Sequence, residues 1–172
     1  MSIRYPGLFT SALILMLGCT AVSSASGAPD VRPPTGVAVV REVQGGGVQV
    51  YTCRAGTNGT YQWILNGPKA ILINEDGSDF GTHSAGPTWT AADGSSITAD
   101  GAHPVEKVDR PDSVPALLLN VATSRGSGAL SGVRLVRRSQ TEGGLPPSTG
   151  CDSAHQNETV ASHYSAVYTF YR

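Results

Sequence analysis

The sequence predicts an all-β fold, a single antiparallel β-sandwich or barrel of roughly eight to ten short strands with at most one or two short helices. Only 15% of the residues are charged, while 21 are glycine and 11 are proline, a balance that favours short strands and turns over long charged helices. Apolar runs of strand length are separated by turn sequences throughout the chain. With 172 residues and an apolar fraction of 40%, the chain is long enough for one domain with a sizeable core.

Residues 1–28 are typical of a secretory signal peptide. Arg4 supplies a positive charge, and residues 8–17 form an apolar run that is too short to span a bilayer. Small residues near position 28 suit an ordinary signal peptidase, whereas residues 16–19 (MLGC) resemble a bacterial lipoprotein box with a lipid anchor at Cys19. Both alternatives predict export, to the cell envelope, the periplasm or the medium, with no transmembrane helix in the mature chain.

The charge balance gives no reason to expect a nucleic-acid partner. The chain has 12 basic and 13 acidic side chains, and loss of Arg4 with the signal leaves 11 against 13. A protein that binds a phosphate backbone needs an excess of lysine and arginine. The sequence therefore argues against binding to nucleic acids or to anionic membranes.

The domain is predicted to begin after a short linker. Residues 29–36 contain three prolines, which disfavour helix and central strand, so they are interpreted as a proline-rich linker. Residues 37–172 then form the single β-rich domain. Residues 37–43 and 48–53 are β-rich segments on either side of three glycines, which indicates a hairpin or a bulged turn. No βαβ pattern accompanies these glycines, so they do not form a dinucleotide-binding loop.

Further strands are predicted along the middle of the chain. Tyr61, Trp63 and Leu65 share one strand face, which is assigned to the core. Residues 69–73 form another β-prone run. Residues 100–112 are polar and have the composition of a long surface loop, which either covers a site or crosses the sheet.

The last third of the chain is also rich in strand patterns. Residues 114–121 are the most hydrophobic part of the mature chain and fit either a strand or one short helix. Residues 128–141 alternate as a strand that places Arg134 and Arg138 on one face, interpreted as a solvated basic face rather than an anion site. Residues 164–170 carry alternate aromatic side chains, which predicts that the C-terminus is tied into the sheet.

Cys53 and Cys151 are the cysteines that remain after the signal, and they are predicted to form a disulfide. An oxidising compartment favours this pairing over the alternative of two buried free thiols. The 98 positions between them set an upper limit of about 4 to 5 kcal/mol on the stabilisation, in the chain-entropy description.

Residues 83–95 are predicted to form the rim of a surface pocket. His83 would present a polar group and Trp89 an aromatic wall to a small molecule or a glycan, with Asp93 as a third candidate binding residue. The Gly86-Pro87 bend restricts the backbone, so little ordering entropy remains to be lost on binding. The alternatives are a core position for Trp89 and a purely structural turn at Asp93.

The sequence gives less support for an enzyme than for a binding module. His83, His103, His155 and His163 could act together as metal ligands, but no two have the spacing of a metal-binding motif, so no metal and no cofactor is assigned. A Gly-x-Ser-x-Gly motif is absent, and no catalytic residue can be named. The predicted function is therefore an exported binding module; the alternatives are a metal-dependent enzyme that uses His83 with other histidines, and a structural envelope protein.

Six motifs occur in a fixed order over nearly the whole mature chain. They are residues 48–53 (VQVYTC), 61–63 (YQW), 83–89 with 93–95, 114–119 (VPALLL), 141–144 with Pro147 and Cys151, and 168–171 (YTFY). Together they resemble an uncharacterised family, domain of unknown function 3455. The resemblance implies an exported protein of bacteria or fungi with no agreed activity. Some fungal relatives carry a malate dehydrogenase label, but the glycine turn and βαβ unit of a nicotinamide enzyme are missing here.

Overall fold

The nine strands of the protein form one antiparallel sheet in the computed structural model, which describes Met1 and residues 30–172. The predicted all-β class is confirmed, since every regular element in this part of the chain is a strand. The strands are β1 (Val39–Ala55), β2 (Tyr61–Ile73), β3 (Asp79–Ser84), β4 (Thr88–Ala91), β5 (Ser96–Ala99), β6 (Glu106–Val108), β7 (Ala116–Arg125), β8 (Leu135–Gly143) and β9 (Thr159–Tyr171). Apart from Met1, the predicted signal peptide with Cys19 lies outside the described residues.

The sheet closes on itself. Its strand order is β5-β4-β3-β2-β1-β9-β8-β7-β6, and β5 also pairs with β7, so eight strands complete a ring. The second half of β7 contacts β5, while its first half pairs with β6, which lies outside the ring. A ring of eight strands has an interior just wide enough for side chains or for one small ligand.

No helix among the described residues has both the length and the apolar character needed to span a membrane.

Strand β1 runs unbroken through its three glycines, so the predicted hairpin at this point is wrong. It pairs with β2 along one edge and with β9 along the other. A Cβ atom at Gly45 would lie 2.5 Å from Cε2 of Tyr168, and one at Gly47 would collide with the backbone of Lys69 and Ala70. These glycines therefore allow close contact between β1 and its neighbours β9 and β2, and they do not reverse the chain.

The main core fills the inside of the ring. Its largest buried side chains include Trp89, Tyr168, Phe170, Leu72 and Ile97, each 1% exposed or less. Strand alternation explains this set, because the same face of each strand points inward along the register of the sheet. The predicted ambiguity at residues 114–121 is settled in favour of a strand, β7.

The N-terminal segment packs on the outside of the ring. Val31 is fully buried in a second cluster with Leu118, Leu135 and Tyr171. The Arg32 amide donates a hydrogen bond to Glu106 Oε2 at 3.1 Å, which fastens the segment to β6. Residues 30–32, which belong to the predicted proline-rich linker of residues 29–36, are therefore packed on the sheet through the apolar side chain of Val31.

The first half of β2 is not core, which corrects the prediction for its aromatic face. Leu65 is 52% exposed, and Trp63 is only half-buried. The Trp63 indole donates to the Thr149 carbonyl oxygen at 3.1 Å, so this face is covered by the loop of residues 146–151. A loop covers a strand less completely than a second layer of sheet does.

The predicted Cys53–Cys151 disulfide is confirmed. The two Cα atoms are 5.3 Å apart, and Cys53 is fully buried. The bond joins β1 to the loop that precedes β9, so it holds the end of the ring where this loop crosses.

Substitution of Gly45 tests the close approach inside the ring. In Gly45→Ala, we expect the free energy of unfolding to fall by about 1–3 kcal/mol, because the new methyl group overlaps the Tyr168 ring. Gly46→Ala is the matched control, since a Cβ at Gly46 meets no atom within 4 Å, and it should change stability by about 0.5 kcal/mol or less. Urea denaturation measures both values. Equal effects of the two substitutions would show that Gly45 is not needed for this packing.

Candidate functional site

A cavity of about 610 Å³ opens at one end of the strand ring. Its inner wall includes Gln49 and His83, which are 1% and 2% exposed. Its rim includes the exposed residues Leu65, Ala102 and Ala122. The cavity thus extends from solvent to polar side chains inside the ring, which is the usual form of a site for a small molecule.

His83 is held between aromatic side chains by the register of the sheet. It pairs directly with Trp89 across β3 and β4, and the two rings stack with their centroids 4.3 Å apart and 9° between their planes. The ring of Tyr168 meets His83 edge-on at 5.0 Å. These contacts fix the imidazole in one orientation at the wall of the cavity.

The hydrogen bond of His83 determines its tautomer. Nδ1 lies 2.9 Å from the Thr88 carbonyl oxygen, and because a carbonyl only accepts, Nδ1 carries the proton. Nε2 of the neutral ring is then an acceptor. Burial lowers the pKa of His83 to about 4, an effect that the positive charge of Arg138 reinforces and the bond to Thr88 opposes. At neutral pH the cavity therefore contains an uncharged imidazole.

Gln49 contributes an amide that has no hydrogen-bond partner. Its position on β1 faces the ring interior, and neither Nε2 nor Oε1 is bonded to any described residue. A buried polar group without a partner costs about 1–3 kcal/mol. The Gln49 amide is therefore a donor and an acceptor that a ligand in the cavity can satisfy.

Arg138 supplies the positive charge of the site. Its Nε donates to the Pro115 carbonyl oxygen at 3.0 Å, and no carboxylate of the described residues forms an ion pair with it. The predicted solvated basic face is wrong for this residue, which lines the cavity, whereas Arg134 is exposed. The cross-strand pairing of Arg138 with the buried Tyr168 explains the difference. The sequence pattern does not separate the two arginines, because alternation places both Arg134 and Arg138 on the same face as Val136.

Buried tyrosines lie beside Arg138 and complete the polar part of the interior. The hydroxyl oxygens of Tyr164 and Tyr168 are 3.2 Å apart, and the Tyr51 hydroxyl donates to the Gly144 carbonyl oxygen at 2.6 Å. Burial raises the pKa of Tyr168 well above its ordinary value, although the nearby Arg138 opposes the rise. These hydroxyls therefore stay protonated at neutral pH and contribute no negative charge.

Trp89 lies in the core and does not line the cavity. It is 1% exposed and packs edge-on against Tyr168 and Phe170, with centroids 5.6 and 6.2 Å away. The aromatic wall expected from the sequence is therefore not formed by this residue. Because its ring stacks on His83, Trp89 instead supports the imidazole from behind.

Asp93 closes a turn away from the cavity. Its Oδ1 accepts hydrogen bonds from the Ser95 amide and hydroxyl at 2.9 and 2.6 Å, and its Oδ2 accepts from the Ala129 amide at 2.7 Å. This carboxylate joins the β4–β5 turn to the loop after β7. Of the predicted rim segment, His83, Gly86 and Pro87 line the cavity, while Trp89 and Asp93 do not.

The other histidines do not join His83. His103 bonds to Asp100 at 3.0 Å and His155 to Asp152 at 2.7 Å, each within its own loop. Within residues 30–172, no group of three or more histidine, cysteine, aspartate or glutamate side chains is placed to hold a metal ion. Among the histidines of the described residues, His83 alone lines the cavity.

Comparison with known proteins finds one family. The family model described as Protein of unknown function (DUF3455) matches residues 33–172, which is more than half of the chain. No curated protein and no solved structure matches the chain.

The buried neutral histidine predicts a specific dependence of stability on pH. Unfolded His83 takes up a proton near pH 6.5, whereas folded His83 does so only near pH 4, so the unfolded chain binds more protons between these values. The free energy of unfolding should therefore fall as the pH drops from 6.5 to 4, with about 3 kcal/mol contributed by this group. In His83→Gln, we expect this contribution to disappear.

Urea denaturation between pH 4 and pH 7.5 measures the effect as the difference in slope between the wild-type protein and His83→Gln. His163→Gln, at an exposed position on β9, is the control for loss of a histidine and should keep the wild-type slope. Parallel curves for wild type and His83→Gln would contradict a buried neutral imidazole.

Proposed function

The chain belongs to this family of unknown function, and from the geometry of the cavity we propose that the protein binds a small, partly apolar molecule at the open end of its strand ring. The observation that carries the proposal is the Gln49 amide, which is buried in the cavity wall with neither of its polar atoms bonded to a described residue. A bound molecule would satisfy this amide and recover the cost of burying it.

The size and lining of the cavity support this class of ligand. Its volume of about 610 Å³ is in the range of small-molecule sites, which span roughly 300–1,000 Å³. Apolar side chains such as Pro68, Pro87 and Ala99 alternate with the polar groups of Gln49 and His83. Such a surface gains affinity from apolar contact and orientation from a few hydrogen bonds.

A small molecule is favoured over a glycan. The glycan alternative depended on an exposed aromatic ring at Trp89, and that ring is buried behind His83. The cavity instead extends into the ring and is lined near its opening by small residues, among them Ala102 and Ala122. This shape suits a molecule that enters the ring better than a sugar that stacks on its surface.

We further propose that the protein acts outside the cytoplasm. The Cys53–Cys151 disulfide is compatible with an oxidising compartment. The signal peptide over residues 1–28 remains a prediction from the sequence, with lipidation at Cys19 as its alternative form. Secretion and attachment to the envelope are both consistent with a binding module of this kind.

The other two candidate functions are less well supported by the geometry. A metal-dependent enzyme would need more ligands than His83 in the cavity, and His103 and His155 are bonded to aspartates in separate loops. A purely structural envelope protein has no use for an open cavity with an unsatisfied amide in its wall. Small-molecule binding accounts for both features.

Blocking the mouth of the cavity tests the proposal. A thermal-shift screen would use anionic, cationic and neutral ring compounds together with simple sugars. We expect at least one class of ring compound to raise the Tm of the wild-type protein, because a ligand that binds only the folded state stabilises it. Ala122→Trp, which places a large ring in the cavity opening, should abolish the shift.

Thr123→Trp is the matched control, since Thr123 is the next residue on β7 and does not line the cavity. It should keep the wild-type response. The proposal fails if no compound raises the Tm, or if Ala122→Trp and Thr123→Trp respond to the same compounds equally.

A further inference from the structure

We infer that the ligand of the cavity is a small monocarboxylic acid with an apolar body, held through its carboxylate by Arg138. The inference rests on the proposed function and specifies the chemistry of the molecule that the cavity binds. Three features of the cavity support it: a half-buried cation that lacks a carboxylate partner, two uncharged polar groups on the inner wall, and an apolar lining.

Arg138 has the geometry of an anion receptor. The bond from Nε to the Pro115 carbonyl oxygen at 3.0 Å holds one edge of the guanidinium. The two terminal nitrogens form the remaining edge, and the guanidinium also lies within reach of the Tyr168 hydroxyl. A pair of parallel hydrogen bonds from such an edge is the usual way in which arginine binds a carboxylate. No aspartate or glutamate of residues 30–172 takes this place, although Arg137, one position earlier, has Glu42 at 3.7 Å on the outer face.

The charge balance of the inner wall fits one negative charge. His83 is neutral at physiological pH, and the neighbouring tyrosines remain protonated, so Arg138 is the one charged group on the inner wall. Asp100, the one carboxylate of the lining, lies at the rim, where its side chain is 41% exposed and solvent screens its charge. A monoanion would therefore be neutralised by Arg138 at the inner wall, whereas a phosphate dianion would bury an excess negative charge there.

The uncharged polar groups restrict the ligand further. Gln49 Nε2 can donate a hydrogen bond, and Gln49 Oε1 and His83 Nε2 can accept one. A carboxylate alone cannot donate, so these acceptors favour an acid that also carries a hydroxyl or an amine N–H group. The apolar body of the acid would lie against Pro68, Ala99 and Pro87.

Paired acids and amides test the inference directly. Benzoate, 4-hydroxybenzoate and cyclohexanecarboxylate would each be compared at pH 7 with the corresponding amide, and phenyl phosphate would serve as the dianion. Isothermal titration calorimetry would give the Kd for the wild-type protein, Arg138→Gln and Arg134→Gln. Arg134 is the matched control because it is an exposed arginine four positions earlier and does not line the cavity.

We expect at least one acid to bind the wild-type protein tenfold or more tightly than its amide and than phenyl phosphate. Arg138→Gln should weaken binding of that acid at least tenfold, with little change for the amide, and Arg134→Gln should leave the Kd of the acid unchanged. The comparison of acid with amide in the wild-type protein needs no variant, so it decides the question even if Arg138→Gln does not fold.

Three results would overturn the inference: every amide binds as tightly as its acid, phenyl phosphate binds most tightly, or Arg138→Gln and Arg134→Gln weaken the acid equally. If neutral compounds bind and Ala122→Trp blocks their binding, the proposed function still holds, and only the inference that the ligand is a carboxylic acid is excluded. If no compound of any class binds, the proposed function and this inference both fail.

Discussion

Packing inside the strand ring depends on the aromatic side chain of Tyr168, which lies over Gly45, a residue without a side chain. Tyr168 is fully buried, and its ring contacts His83 and Trp89 edge-on, while its hydroxyl lies 3.2 Å from that of Tyr164. Any larger residue at Gly45 would push this ring out of place. The orientation of the histidine in the cavity wall and the position of Arg138, which pairs with Tyr168 across β8 and β9, both follow from this contact.

One part of the interior of the strand ring is filled by side chains and another part is open. The size of the side chains determines which part is filled. Large residues such as Phe170 and Leu72 fill the core, whereas the cavity is lined by small ones such as Ala99 and Gly101. The polar groups lie where the two parts meet. Because burial keeps His83 neutral, Arg138 is the one cation of the cavity lining and the one charged group on its inner wall. The packing of the core therefore determines which charged and hydrogen-bonding groups the site contains.

Local patterns in the sequence predict the strands and the disulfide, because the alternation of apolar residues and a pair of cysteines behind a predicted signal peptide are local or compositional signals. They do not predict which face of a strand points inward, since this depends on closure of the ring through pairings such as β1 with β9. The three glycines of β1 predict a turn from the sequence, because glycine occurs both in turns and at close contacts. The charge of Arg138 predicts exposure to solvent, and only its partner across the strand shows that it lines the cavity. The sequence places Trp89 at the pocket rim, whereas its cross-strand stacking on His83 places it in the core.

The most direct measurement of the central claim is a crystal structure of the protein with a bound aromatic monocarboxylate. The account requires the carboxylate oxygens to lie about 2.7–2.9 Å from the terminal nitrogens of Arg138, with the ring of the ligand inside the cavity and a polar atom within hydrogen-bonding distance of the Gln49 amide. A ligand bound elsewhere on the protein, or one that enters the cavity with its carboxylate directed to solvent, would contradict it.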